Sequence, residues 1–388
     1  MRQGEGEKMK YRLEDIAPIS QGKVAKSKQY WLLNLDAVES NTGKILEYIY
    51  VDASEIGSST VSFDTNNVLY SKLRPYLNKV VCPKISGYAT SEMLPLKPNR
   101  QLITREYLTY YLRSPNFVRY INGKTSGAKM PRANISDFKS VEIECPPINE
   151  QIKIANMFDK IETILSLRRR QLDLLDDLVK ARFVEMFGNC KTNPKNWDTI
   201  ALGEISEVGS SKRVFVEELQ DSGIPFFRGT EIGAFAEGNI VQPELFITKS
   251  HYEELINATG KPICGDLLMP SICPDGRIWV VNTNKPFYFK DGRVLWVHSI
   301  SKKYNPVFLL YTLKDRIMTD YGSIASGTTF AELKIFALKQ CHIFDVPLEL
   351  QQSFATFVSC VERQKSRVRS ALEESQLLFD SMMQRYFG

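Results

Sequence analysis

Apolar residues in this chain fall into two regimes. Residues 147–188 and 347–388 carry apolar positions in alternating steps of four and three. In the first stretch the steps from Ile154 give Ile154, Phe158, Ile161, Leu165, Arg168, Leu172, Leu175, Val179, Arg182 and Met186. In the second they give Phe354, Val358, Val361, Lys365, Val368, Leu372, Ser375, Phe379, Met382 and Tyr386. A period of 3.5 residues held this long predicts a helix that keeps one seam against a partner. No proline or glycine lies inside either run, and each ends at Phe-Gly, glycine being a common helix stop. Two ordinary amphipathic helices of a globular core would carry a similar period. The length of the runs and their repetition favour a pair of rods instead, each about 57 Å long for about 38 residues.

The two stretches are copies. Sliding the chain by 200 residues places 126–188 on 326–388 without a gap, with 15 of 63 positions identical. Ser126-Gly127, Pro147, Gln151, Ala155, Glu162, Leu172 and Phe187-Gly188 all find their match. An internal repeat of this size predicts a duplicated architecture.

Between the rods the pattern is short and mixed. Residues 45–51, 61–63 and 135–143 read as strands, and 104–112 as a helix capped by Thr104. Val68-Leu-Tyr-Ser-Lys-Leu-Arg-Pro-Tyr-Leu-Asn-Lys-Val80 reads as strand, turn and strand, bringing Lys72, Arg74, Tyr76 and Lys79 near one another. Arginine can read guanine edges with two hydrogen bonds and lysine neutralises phosphate, although such a patch can also merely solubilise an edge strand. The glycine-containing loop 123–132 adds Lys124, Lys129 and Arg132, with backbone N–H groups able to approach phosphate. It could equally be an ordinary exposed turn. Past residue 188 the pattern restarts: Leu202-Gly-Glu-Ile resembles Leu13-Glu-Asp-Ile, but the surface diverges. Lys212, Arg213, Arg228, Thr230 and Arg277 are the candidate contacts there, and Thr328 and Thr329 replace the lysines of the first glycine loop.

Composition narrows the classes. The 388 residues are 43% hydrophobic and 24% charged, as in folded domains. No apolar run approaches a membrane span, and the polar start does not read as a signal peptide, so the cytoplasm is expected and no membrane partner. Seven cysteines without a Cys-x-x-Cys pair and three scattered histidines predict neither a disulfide framework nor a metal site. The net charge of +5 is unevenly spread. Residues 65–133 hold twelve Lys/Arg against Glu92 and Glu106 alone, whereas 191–347 hold 17 against 18 acids. A basic face in the first globular segment suits a phosphate-bearing partner. Asn305-Pro-Val-Phe308 lacks a proline of the amino-methyltransferase motif, no phosphate-binding loop is present, and no nuclease core follows Pro274-Asp275.

Taken together, the order variable segment, long helix, variable segment, long helix resembles the specificity (S) subunit of type I restriction–modification systems. So do Leu69-Tyr-Ser-Lys-Leu-Arg-Pro-Tyr-Leu-Asn-Lys79, Pro146-Pro-Ile-Asn-Glu-Gln151 and the Phe-Gly ends. The second copy departs from the pattern with Val346-Pro-Leu-Glu-Leu-Gln351. The resemblance implies a mixed α/β fold: two target-recognition domains, 1–146 and 189–346, and two long antiparallel coiled-coil helices, 147–188 and 347–388, related by a pseudo-twofold internal repeat. It implies a non-catalytic chain that reads a bipartite duplex DNA target. Two N6-adenine methyltransferase (M) subunits and restriction (R) subunits would dock on it and carry the S-adenosylmethionine, ATP and magnesium; this chain would hold no cofactor of its own. The expected helix-pair seam is Ile154, Phe158, Ile161, Leu165, Leu172, Leu175, Val179, Phe354, Val358, Val361, Val368, Leu372 and Phe379. The rival readings are a self-contained DNA methyltransferase or nuclease, and a coiled-coil adaptor that binds protein.

Overall fold

The computed structural model describes residues 9–327 and 331–388. They form mixed α and β structure in two compact units. One unit comprises Met1–Arg170 with Arg369–Gly388, the other Gln171–Val368. The two long helices run Ile148–Phe187 and Leu348–Phe387, 40 residues each, and each contributes one half to each unit.

In the first unit the early part of the first long helix meets the late part of the second, so the two run antiparallel. Phe158 is fully buried, 5.4 Å from the ring of Phe379 and 5.8 Å from that of Phe387. Ile154, Ala155 and Phe158 continue into a core with Tyr107, Leu108, Phe117, Phe138, Met383 and Phe387. In the second unit Phe183 and Phe187 lie 5.5 and 5.6 Å from Phe354, and Phe187 packs edge-on against Phe308. Burying side chains of this size is the largest favourable contribution either unit has.

The seam follows the 3.5 period only part of the way. Ile154, Phe158, Ile161, Leu165, Val179, Phe354, Val358 and Val361 are buried, whereas Leu172, Leu175, Val368, Leu372 and Phe379 are half-buried. After Val179 burial passes to Phe183 and Phe187, not to Arg182 and Met186. In the second helix it passes to Met383 and Phe387, not to Met382 and Tyr386. An α-helix drifts about 20° per heptad away from a strict 3.5 repeat. Each helix end also plugs into a globular core rather than facing a partner helix alone, and that core takes the residues the drift presents. Lys365 is the polar member of the seam. Its side chain is 8% exposed, and Nζ lies 2.8 Å from both Asp176 Oδ1 and Glu362 Oε1.

Two identical residues explain themselves at the helix starts. Gln151 and Gln351 are fully buried. The Gln151 amide donates to the carbonyls of Leu102 and Pro146, both at 2.8 Å, and its Oε1 accepts from Thr104 N at 2.9 Å. Gln351 does the same with Lys303 O, Val346 O and Asn305 N. Each glutamine ties a long helix to the strand before it and to the capping turn of a neighbouring helix, Arg105–Arg113 or Pro306–Ile324. Buried backbone groups must be satisfied, which is why no apolar residue serves here.

Each unit holds a four-stranded and a three-stranded sheet. In the first, the spatial orders are Ile49–Asp52, Gln29–Leu33, Gly87–Thr90, Thr60–Phe63 and Val80–Val81, Val68–Ser71, Met93–Leu96. In the second they are Glu207–Gly209, Val294–His298, Leu267–Pro270, Trp279–Val280 and Phe246–Ile247, Ile224–Phe227, Tyr288–Phe289. From residue 125 the 200-residue offset relates every element. Thr125–Ser126 and Arg132–Ala133 correspond to Ala325–Ser326 and Glu332–Leu333, and Ile135–Lys139 to Ile335–Lys339. Gly127 and Gly327 both have positive φ, 94° and 136°, where a side chain would be strained. That requirement accounts for the retained Ser-Gly.

Two short expectations need correction. Residues 135–143 are not one strand: Ile135–Lys139 is a helical turn, and the strand is Glu142–Cys145. Asn134 caps the turn, its Oδ1 accepting from Ser136 N and Asp137 N, and the spacing of Ile135 and Phe138 then suits a helix. The strand expected over 45–51 is confined to Ile49–Asp52.

Candidate nucleic-acid interface

The hairpin and the glycine loop of the first unit form one surface. Val68–Ser71 pairs with Val80–Val81, Leu69 opposite Val81 and Tyr70 opposite Val80. Between them Pro75–Leu77 makes a 3-10 turn, flanked by Arg74 and Asn78 in the left-handed region at φ 50° and 51°. Holding an arginine there costs backbone energy, on the order of 1 kcal/mol, so the surroundings must fix it. They do: Arg74 N donates to Pro131 O at 2.7 Å and Ala133 N to Lys72 O at 2.8 Å, with Leu73 bridged to Arg132. The loop is thereby zipped along the first arm of the hairpin.

Glu92 sits between the two basic stretches. Arg132 Nε and Nη2 donate to its carboxylate at 3.0 and 2.7 Å, and Lys72 Nζ lies 3.9 Å away. The Arg132 fork, helped by the Lys72 charge, holds the Glu92 carboxyl below its ordinary value even though partial burial opposes this. Arg132 is therefore spent partly on organising the face. Lys79 is turned inward, donating from Nζ to Leu35 O at 2.6 Å, and burial lowers its pKa. Arg74, Tyr76, Lys124 and Lys129 remain as candidates. Tyr76, Lys124 and Lys129 are exposed, and Arg74 is half-buried with an Nε that finds no acceptor. Among the described residues neither Lys124 nor Lys129 forms an ion pair.

The second unit keeps the frame. Leu267–Pro270 pairs with Val294–His298 and Trp279–Val280 as Val68–Ser71 pairs with its two neighbours. Leu333 N donates to Ser271 O at 2.7 Å, the counterpart of Ala133 N to Lys72 O. The ion pair is also present with its polarity reversed: where the first unit has Arg132 on Glu92, the second has Glu332 on Arg293, with Lys334 Nζ 3.5 Å from Glu332.

The candidate cations of the second unit are mostly engaged. Arg228 binds Glu231 and Glu244, Arg213 binds Asp291, and Arg277 lies 2.8 Å from Asp275 and 3.8 Å from Glu237. Glu231 and Asp291 are held below ordinary carboxyl values: burial pushes both up, but Arg228, two backbone N–H groups and the Thr230 hydroxyl outweigh it at Glu231, and Arg213 and Lys290 outweigh it at Asp291. Thr230 donates its hydroxyl to Glu231, and Lys212 is exposed without an ion pair among the described residues. Thr328 and Thr329 lie outside the described residues. The structure thus gathers the first unit's candidates on one face. In the second unit it gathers Arg228 and Thr230 around Glu231, and it gives Arg213 and Arg277 separate acidic partners.

Sequence reading missed the acids that organise these faces, Glu92, Glu231, Asp291 and Glu332, and missed Arg113. Some of their partners are near in sequence, Arg228 to Glu231, Lys290 to Asp291 and Lys334 to Glu332, but the pairings that join separate segments, Arg132 to Glu92, Arg213 to Asp291 and Arg293 to Glu332, are far apart. No group of three or more His, Cys, Asp or Glu suited to a metal ion is present among the described residues, and none of their helices is long and apolar enough to cross a membrane.

Comparisons with known proteins fit this arrangement. A family model described as the type I restriction modification DNA specificity domain matches residues 5–176. The specificity subunit of type I restriction enzyme MjaIX from Methanocaldococcus jannaschii is 24% identical over 386 residues, spanning 89% of this chain and 85% of its own length. The MjaVIII specificity subunit of the same organism is 22% identical over 299 residues, 71% of this chain and 68% of its own. Two solved structures share the fold. A chain solved to explain complex assembly and conformational transition of the type I R-M system has a TM-score of 0.61 at 17% identity, covering 100% of this chain and 99% of its own. The type I restriction–modification S subunit from M. genitalium has a TM-score of 0.59 at 14% identity, covering 100% and 98%.

Proposed function

We infer that this chain, which belongs to the family of type I restriction–modification DNA specificity subunits, recognises the DNA target of such a complex and has no catalytic role of its own. Each unit reads one half of a split duplex site. The first uses Arg74, Tyr76, Lys124 and Lys129, with Lys72 and Arg132 ordered by Glu92. The observation that carries this reading is the zipped hairpin and glycine loop of the first unit, whose strand pairings and Ala133 N to Lys72 O bond recur in the second as Leu267–Pro270 with its neighbours and Leu333 N to Ser271 O, with different side chains. Phosphate contacts set position and base edges set sequence, so a kept frame with altered faces suits two readers of different sequences.

Two methyltransferase subunits and the restriction subunits are the partners, and the work takes place in the cytoplasm. S-adenosylmethionine, ATP and magnesium are requirements of those partners. The test is to express the chain with its methyltransferase partner and map methylated adenines, for wild type and Arg74→Ala. Arg74→Ala should relax base preference in one half-site only, by about 1–3 kcal/mol. Equal loss on all DNA would reduce Arg74 to a phosphate contact. Turnover of labelled S-adenosylmethionine by the purified chain alone would overturn the non-catalytic assignment, and salt-independent indifference to DNA in the assembled complex would favour a protein-binding adaptor.

A further inference from the structure

The second arm of the basic hairpin is supported from behind by loop 35–43. Lys79 Nζ donates to Leu35 O, and Asn41 N donates to Leu77 O at 3.2 Å. Gly43, at φ 67°, approaches so closely that a Cβ there would lie 1.8 Å from Val80 O. The loop is held in turn by one side chain. Arg113 Nε and Nη2 donate to the Asn41 carbonyl at 3.1 and 2.8 Å, and the same Nη2 is bonded to Glu162 on the first long helix. The backbone of Arg113 also takes part, its carbonyl accepting from Asn78 Nδ2 at 3.0 Å at the end of the hairpin turn.

This guanidinium is 5% exposed, and a buried charge persists only when its partners are fixed. Tyr110 fixes the acid: its hydroxyl lies 2.6 Å from Asp159 Oδ1 and 3.2 Å from Glu162 Oε2, its one proton bridging the two carboxylates, while its ring stacks 4.8 Å from Phe158. Planar, forked and always charged, arginine serves the carbonyl and the carboxylate at once from donors held in fixed directions, where the donors of lysine rotate on a flexible stem. Among the described residues the second unit shows no such link. By the 201-residue step that relates Thr104 to Asn305 in these helices, the place of Arg113 is taken by Lys314, which forms no ion pair among the described residues, and Glu362, the copy of Glu162, is bonded by Lys365 of its own helix.

We propose that Arg113 is a positioning residue for target reading: it bolts the basic hairpin, through loop 35–43, to Glu162 of the first long helix and so sets the angle at which Arg74 and Tyr76 meet DNA. This rests on the reading that the hairpin contacts the target. Base readout needs a hydrogen-bonding group placed to a fraction of an ångström, and a hairpin left to rock loses discrimination before it loses charge.

The experiment uses the full-length chain with its methyltransferase partner and measures methylation on targets substituted base by base in each half-site, for Arg113→Met, Arg113→Lys, Glu162→Gln and Arg74→Ala. Arg113→Met should cut discrimination about tenfold in the half-site read by the first unit and leave the other unchanged. Arg113→Lys, which keeps the bond to Glu162, should recover part of it, and Glu162→Gln should give a smaller loss in the same half. Should Arg113→Met prove too unstable to assemble, the other two decide. Folded variants that discriminate like wild type, or that weaken both half-sites alike, would overturn the proposal. If Arg74→Ala relaxes the first half-site while the Arg113 and Glu162 variants do not, only the positioning role fails; if Arg74→Ala is also silent, the hairpin reading fails with it.

Discussion

Arg132 on Glu92 in the first unit and Glu332 on Arg293 in the second are the same link written with opposite charges. Both join the strand that leaves the glycine loop to the turn just before a sheet strand, Met93–Leu96 or Val294–His298, beside the equivalent backbone bonds Ala133 N to Lys72 O and Leu333 N to Ser271 O. The backbone needs a tie at this point and is indifferent to which end is positive. The solvent side is not indifferent. Around Glu92 the tie adds to a face with Lys72, Arg74, Lys124 and Lys129, whereas beyond the second unit's tie Arg228, Arg213 and Arg277 are matched by acids. Among what is kept between the copies are the buried glutamines Gln151 and Gln351 with their backbone partners. What changes is what a partner would touch.

This contrast can be broken at its deepest point first. Phe158→Ala and Phe187→Ala, one fully buried ring in each unit, should each cost about 3–5 kcal/mol, read by chemical denaturation. A loss confined to one of them would end the equivalence of the two cores. Next come the glutamines. Gln151→Ala and Gln351→Ala strand the same three backbone groups and should each cost about 1–3 kcal/mol, equal in the two units within the error of the melt. Leu165→Ala should cost about 2–5 kcal/mol and half-buried Leu172→Ala clearly less, which tests where along the rod the seam stops being fully buried.

The smallest effect lies on the surface. Glu92→Gln should raise nonspecific DNA affinity modestly and steepen its salt dependence by about one counterion, while the matching substitution Glu332→Gln should leave the first half-site untouched. Its pH signature has a definite sign. Because the folded carboxyl of Glu92 is held below its unfolded value, the stability it contributes is present above the unfolded pKa, about 4.3, and is lost as pH falls through the folded one. Melts of Glu92→Gln should therefore show a shallower acid-side decline than wild type.

The rods were legible in the sequence because their signal is a period repeated over dozens of positions, with a second copy as a check. Their ends were misjudged: a strict 3.5 step names Arg182 and Met186, but the cores take Phe183 and Phe187, a choice made by packing from distant segments. The hairpin was legible from its alternation, and its left-handed Arg74 was not, since only glycine, asparagine or aspartate announce that conformation. Of the candidate contacts, Lys79 reads in sequence like its neighbours. Its removal from the surface depends on Leu35, 44 residues away, as the taming of Arg213 depends on Asp291. Charge counted along a chain gives the region where a basic face lies, and the pairing across the fold decides which cations remain on it.

Lys365 carries one further consequence. Its ammonium occupies the place that Leu165 fills in the other copy, and it is satisfied by Asp176 across the seam. Slipping the helices by seven residues would bring Phe183 or Arg169 opposite it, an oily ring in one direction and a like charge in the other. The second unit's helix pair therefore has one register that satisfies this charge, and a slip by a heptad in either direction leaves it stranded.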